Sequence, residues 1–252
     1  MITNDLDFHG QVVLVTGGAR GIGRAISLRF GQLGAGVAFN YLADSKAAHD
    51  TVARIQANGG QAIAIRADVA DTPQVHALVK NVIDTYGQID VLVNNAALAG
   101  GGGILDMSDE AWDRMLAINL RGPFLMAREV LKHMIPRRQG RIVNISSLSA
   151  RYGSGPVNYC ASKAGIFGLT RALAHEVGKH NIRVTCLCPG LTHTDGLRSL
   201  SPEAIRERVA VTDLGRVGEP EEVADVVVFL ASPLSRFITG SILDVNGGRL
   251  GG

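Results

Sequence analysis

Alternation is the feature that most restricts what this chain can fold into. Short runs rich in Val and Ile take turns with stretches of helical period along almost the whole sequence. The runs are 12–16, 37–41, 61–66, 91–94, 141–146, 183–187 and 242–245. Mostly apolar on both faces, they read as strands of a buried parallel sheet. Between them 21–34, 46–58, 73–86, 109–134, 157–179 and 220–231 carry helical patterns. Ser108 precedes Asp109 and Glu110, and Pro220 leads Glu221 and Glu222, as helix N-termini prefer. Parallel strands joined through helices need right-handed crossovers, which put helices on both sheet faces. No linker, repeat or charge block divides the chain. The expectation is one doubly wound α/β domain over residues 1–252. The least regular stretch, 190–214, is a polar insertion placed to cover the carboxyl ends of strands, where ligands bind in such sheets.

Composition narrows the class. Glycine accounts for 31 of 252 residues, well above the usual ~7%. Glycine and proline together stay below low-complexity levels, so the excess serves turns and close backbone contacts. A net charge of +2 without a basic stripe argues against nucleic acid and acidic membranes as partners. No run approaches a membrane span, and the start, Met-Ile-Thr-Asn-Asp-Leu-Asp, lacks signal-peptide character. Cys160, Cys186 and Cys188 have no CxxC or zinc spacing, and the last two share one face of a strand, as buried thiols do. The seven His residues form no HxxxH or HExxH, so no metal site is expected. These features point to a soluble, reduced, cytoplasmic protein.

Thr16-Gly17-Gly18-Ala19-Arg20-Gly21-Ile22-Gly23 follows the first strand and opens the first helix. Glycines there let the backbone approach a pyrophosphate, whose charge the helix N-terminus favours. The spacing is GxxxGxG, and its position makes the chain a Rossmann-type nucleotide binder. An NAD site wants an acid at the end of the second strand to hold the ribose 2′-hydroxyl. That strand ends Phe39-Asn40-Tyr41, with no acid until Asp44 and with Arg20 nearby. A missing carboxylate beside a guanidinium fits a 2′-phosphate, so NADP(H) is favoured over NAD(H). Asn40 is counted among the cofactor-binding residues.

Tyr159 and Lys163 stand four apart near the start of a helix and share a face. A phenol of pKa ~10 is a poor base at neutral pH, but an adjacent ammonium favours the phenolate. Ser146 and Ser147 leave the carboxyl end of the preceding strand, where a hydroxyl can donate to a substrate carbonyl while Tyr159 moves the proton.

With these residues in order, the chain resembles the short-chain dehydrogenase/reductase family, in its branch near 250 residues. The glycine turn, Asp68 in Ala-Asp-Val, Asn94-Asn95-Ala96, the Ser…YxxxK pair and Pro189-Gly190 run in family order from Gln11 to Gly248. The resemblance implies a nicotinamide-dependent oxidoreductase acting on a ketone or secondary alcohol. Tyr159 would be the general acid/base, and Lys163 would lower its pKa and hold the nicotinamide ribose. Ser147 would orient the carbonyl, and Asn119 would kink its helix and anchor a water on the proton relay. Gly17, Arg20, Gly21, Ile22 and Gly23 would hold the phosphates, with Asp68 and Val69 near adenine. Asn95 and Ala96 would lie along the cofactor, and Pro189, Gly190 and Thr194 would close over the nicotinamide amide.

Two positions depart from the family. Ala97 stands where Gly is usual, a change expected to need a small backbone adjustment. The serine commonly lies thirteen residues before the tyrosine, which is Ser146; anchoring on the strand favours Ser147, twelve before. Arg137 and Arg138 with Lys179 and His180 resemble the patch by which the family's carrier-protein reductases bind acyl carrier protein. The alternative functions are therefore a 3-oxoacyl-[acyl-carrier-protein] reductase and a catalytically silent NADP-sensing regulator. Small and apolar residues on two faces of the 157–179 helix, with strand 242–245 and the closing 247–252, lead to the expectation of a homotetramer.

Overall fold

All seven expected strands form, and they hydrogen-bond as one sheet. The computed structural model describes residues 6–197 and 200–249. Its strands are β1 (Val12–Val15), β2 (Gly36–Tyr41), β3 (Gln61–Arg66), β4 (Val91–Asn94), β5 (Gly140–Ile145), β6 (Ile182–Pro189) and β7 (Ile242–Val245). Their order is β3-β2-β1-β4-β5-β6-β7, with every neighbouring pair parallel. From β1 the chain winds outward through β2 and β3, then returns to β4 and winds the other way. The reversal opens a crevice beyond the carboxyl ends of β1 and β4, the place where such sheets bind ligands.

Alternation along each strand supplies both faces of the core. Val13, Val15, Val37 and Phe39 pack with α1 (Gly21–Gln32), α2 (Ser45–Ala57) and α9 (Pro220–Ala231) on one side. Val12, Leu14, Ala38 and Leu92 pack with α3 (Thr72–Tyr86), α5 (Gly122–Arg137) and α7 (Val157–Val177) on the other. The start signals act as read. The Ser108 hydroxyl accepts from the Ala111 N–H at 3.2 Å, and Glu219 and Glu222 form a reciprocal cap at the start of α9.

Two elements differ from the sequence expectation. The helix expected over 109–134 is broken into α4 (Asp109–Leu116), a π-helical turn (Ala117–Arg121) and α5. Pro123 has no N–H to donate to the Asn119 carbonyl four residues back, and the Gly122 N–H reaches five residues back to Ala117 instead. The insertion 190–214, read as irregular, contains a helix, α8 (Pro202–Ala210), capped by the Ser201 hydroxyl. A one-turn helix, α6 (Ser149–Tyr152), also precedes α7. The expectations drawn from residues 1–5 and 250–252 lie outside the described residues. No helix among the described residues is long and apolar enough to cross a membrane.

Candidate active site

The floor of the crevice is built by side chains that hold backbone in place. Gly17 takes a left-handed φ of 66°, which glycine alone adopts without strain. The Gly17 N–H donates to Asn40 Oδ1 at 3.0 Å, and Asn40 Nδ2 donates to the Ala67 carbonyl at 2.8 Å. Asn40, counted as a cofactor residue, thus joins the turn to the end of β3. The Thr16 hydroxyl accepts from the N–H groups of Asn95 and Ala96, both at 2.9 Å. Asn95 Nδ2 donates to the Thr16 and Gly17 carbonyls. A Cβ on Gly23 would collide with the Gly17 carbonyl and this same amide. Glycine is therefore required at residue 23 for α1 to start against the turn.

Above this floor lies a cleft of about 700 Å³. Gly17, Arg20 to Gly23, Asn40, Asp68, Val69, Asn95, Ala96 and Thr194 line it. Arg20 stands at its rim with its guanidinium 3.8 Å from Asp44 and 3.7 Å from Asp195. Asp44 itself caps α2, accepting from the Ala47 N–H at 2.9 Å. Asp68 pairs with Arg114 at 3.0 Å and accepts from the Ala70 N–H. The space is long and lined by backbone donors at a helix N-terminus, which fits a dinucleotide with its phosphates on the glycine turn.

A second cleft, of about 620 Å³, shares Ile22, Asn95, Ala97, Thr194 and Gly196 with the first. Ser147, Tyr159, Lys163, Pro189 and Gly190 line it. The two serines divide here: Ser146 donates its hydroxyl to the Lys163 carbonyl at 2.7 Å, whereas the Ser147 hydroxyl accepts from the Ser149 N–H at 3.1 Å and lies beside the Tyr159 phenol. Lys163 is buried, and its Nζ donates to the Ile145 carbonyl at 2.9 Å. Burial pulls its pKa down to about 8. Beneath it Cys186 and Cys188 are buried on one strand face, and the hydrogen bond between them, with burial, holds Cys186 as a thiol.

The expected lowering of the Tyr159 pKa is not what this geometry produces. Burial pushes the phenol up, and the neighbouring Ser147 hydroxyl opposes that only in part. The Lys163 ammonium is drawn to the Ile145 carbonyl. Asn119 stands in the π-helical turn where its helix is expected to kink, and its side chain is fully buried away from the lining of both clefts. Its amide clamps both the N–H and carbonyl of Leu98, at 2.8 and 2.9 Å, and reaches the Ser162 hydroxyl at 3.1 Å. It thereby ties the loop after β4 to α7, one turn from Tyr159.

Three comparisons bear on this arrangement. A family model described as enoyl-(acyl carrier protein) reductase matches residues 17–249. A Synechocystis protein named 3-oxoacyl-[acyl-carrier-protein] reductase is 42% identical, covering 95% of this chain and 97% of its own. A Serratia marcescens short-chain dehydrogenase/reductase variant superposes with a TM-score of 0.90 at 35% identity, covering 96% of this chain and 98% of that one. The chain belongs to the short-chain dehydrogenase/reductase family. It is an oxidoreductase of the kind that acts on CH–OH groups with a nicotinamide cofactor. A third likeness is a metagenomic blue fluorescent protein solved with NADPH, with a TM-score of 0.90 and 38% identity over 95% of this chain and 98% of that one.

This dehydrogenase/reductase accommodates its departures simply. Ala97 keeps an ordinary φ, since only Arg138 and Asn181 among described non-glycine residues have positive values. The basic residues singled out as a carrier patch sit at the amino ends of β5 and β6, opposite Tyr159. Arg137 there pairs with Asp90 at 2.6 Å, and Arg138 donates to the Lys179 carbonyl. These two arginine contacts lie at the opposite end of the sheet from the cleft. Sequence reasoning passed over Arg208 and Arg249, which line the second cleft. No motif spacing marks them. The break at Asn119, by contrast, was signalled by Pro123.

Proposed function

We propose that this chain is an NADP(H)-dependent reductase and dehydrogenase of ketones and secondary alcohols, working as one domain with Tyr159 as general acid/base. The observation that carries this reading is the placement of Ser147, Tyr159 and Lys163 together in a cleft that opens into the glycine-floored one. In reduction a carbonyl oxygen accepts hydrogen bonds from Ser147 and Tyr159, and the phenolic proton passes to it as negative charge develops. NADPH, held on the glycine turn, would supply the hydride. The raised pKa keeps Tyr159 protonated at neutral pH, ready to donate. Lys163 places positive charge behind the phenol, and Asn119 positions α7 through Ser162 and the Leu98 loop.

Arg20 at the adenosine end, with Asp44 occupied as a helix cap, supports a 2′-phosphate over a bare ribose. The NADPH-bound neighbour supports the same choice. The carrier-protein reductases among the relatives favour a second reading, a 3-oxoacyl thioester on acyl carrier protein as substrate. A silent NADP sensor is the less supported alternative, since it has no use for a buried Tyr–Ser–Lys set. Turnover of a panel of ketones, sugars, steroids and acyl thioesters with NADPH and NADH separates these. We expect NADPH oxidation with at least one carbonyl class; binding without any turnover would leave the sensor. The exposed Ala164, Gly168 and Ala172 on α7, beside an apolar groove of Leu116, Leu120, Phe124 and Leu169, support self-association as a homotetramer. Light scattering at the 26.6 kDa monomer mass would refute it.

A further inference from the structure

The substrate-side cleft carries three cationic side chains, Lys163, Arg208 and Arg249, and none of its described lining residues is acidic. Lys163 is accounted for by the chemistry above. The two arginines are not. Arginines nearby find carboxylates: Arg206 meets Glu203, Arg216 meets Glu222 at 2.6 Å, and Arg151 meets Asp244 at 2.6 Å. Arg208 and Arg249 are half-buried and take part in no ion pair among the described residues. Asp213, the acid nearest Gly248, pairs with neither.

Both arginines are carried by well-anchored backbone. Arg208 sits near the end of α8, where its carbonyl accepts from the Thr212 hydroxyl at 2.8 Å. Arg249 follows β7 on a turn built around Asn246, whose Oδ1 accepts from the Gly248 N–H at 3.0 Å and whose Nδ2 donates to the Arg249 carbonyl at 3.1 Å. Asn246 packs against Gly190, so this turn is seated at the carboxyl end of β6 beside the catalytic cleft. Two half-buried cations lining one cavity with no acidic residue among its described lining make it a favourable place for an anion. Guanidinium groups suit planar or tetrahedral oxyanions because their donors are arranged as a fork.

We propose that the carbonyl substrate bears an oxyanion, a carboxylate or a phosphate, away from the reacting carbon, and that Arg208 and Arg249 clamp it. This rests on the reading that Ser147 and Tyr159 hold the carbonyl in the same cleft. The test is binding to the NADPH-loaded protein, followed by thermal shift and competition. The probes are short oxo-carboxylates of increasing length with their methyl esters, and oxo-alkyl phosphates with the parent alcohols. One anion of either kind should bind roughly tenfold or more tightly than its neutral twin, as a charge-assisted contact implies. Whether the carboxylates or the phosphates show the larger ratio identifies the group. In the R208L/R249L double variant the ratio should fall to near one, and R208K/R249K should restore part of it. Equal binding of neutral twins, survival of the ratio in the double variant, or no binding by either series overturns the inference. Because this readout needs no proton transfer, loss of the catalytic reading would show in turnover, while loss of the anion site would show in binding.

Discussion

The two clefts that meet at Asn95 and Thr194 are built on opposite principles. On the cofactor side the polar side chains of the floor are bonded to backbone: Thr16 to the Asn95 and Ala96 amides, Asn40 to Gly17 and Ala67, Asn95 to Thr16 and Gly17. On the substrate side Ser147, Tyr159, Arg208 and Arg249 line the cleft, and neither arginine takes part in an ion pair among the described residues. One side is a scaffold whose shape is fixed before anything binds. The other holds groups whose remaining bonding capacity is available to a substrate. The lesson is that glycine and asparagine build this site and that tyrosine, serine and arginine operate it.

The largest effect should come from breaking the scaffold. Gly23→Val places carbon against the Gly17 carbonyl, so NADPH binding, followed by nucleotide fluorescence, should disappear while circular dichroism still reports an α/β fold. Near-normal NADPH affinity in this variant would erase the distinction between the two sides.

Next comes Lys163, which lines the substrate-side cleft. Its folded pKa of about 8 lies below the ordinary 10.5. The unfolded chain therefore binds more protons between these values, and the cofactor-free protein should gain stability as pH rises through that window. Below pH 8 the full penalty is present, worth about 3 kcal/mol. Lys163→Met should accordingly raise urea stability at pH 7 by up to about 3 kcal/mol while abolishing activity, and the gain should fade toward pH 10.5. A variant less stable than the parent at pH 7 would mean that the lysine is not the operating strain it is taken to be.

Arg20 sharpens the comparison on the cofactor side, since it is a rim residue with two carboxylates within 4 Å. Arg20→Ala should raise the KM for NADPH roughly tenfold to a hundredfold and leave that for NADH almost unchanged. Equal effects on both cofactors would remove the 2′-phosphate contact.

The same contrast explains what could be read in advance. All seven strands were legible because a sheet buried on both faces leaves a near-continuous apolar signature, and the scaffold residues lie at fixed spacing along it. Tyr159 and Lys163 were legible because one helical turn joins them. The break at Asn119 does not show in the apolar period of 109–134, but the family resemblance implied it, and Pro123, four residues on, accounts for it. The upward bias of the Tyr159 pKa was hidden as well, because it comes from burial of the phenol, which only the packing around the cleft sets. Arg208 and Arg249 come to line one cleft only through the folding of α8 and the Asn246 turn, so no local pattern could link them.

The central claim is that Tyr159 transfers the proton while the scaffold holds the cofactor independently of it. The direct measurement is single-turnover NADPH oxidation by Tyr159→Phe, set beside its NADPH affinity. The account predicts an NADPH Kd within about twofold of the parent and a carbonyl reduction rate lower by the ~10²–10⁴ typical of a lost general acid. A variant that binds NADPH and reduces the carbonyl at close to the parental rate would contradict it.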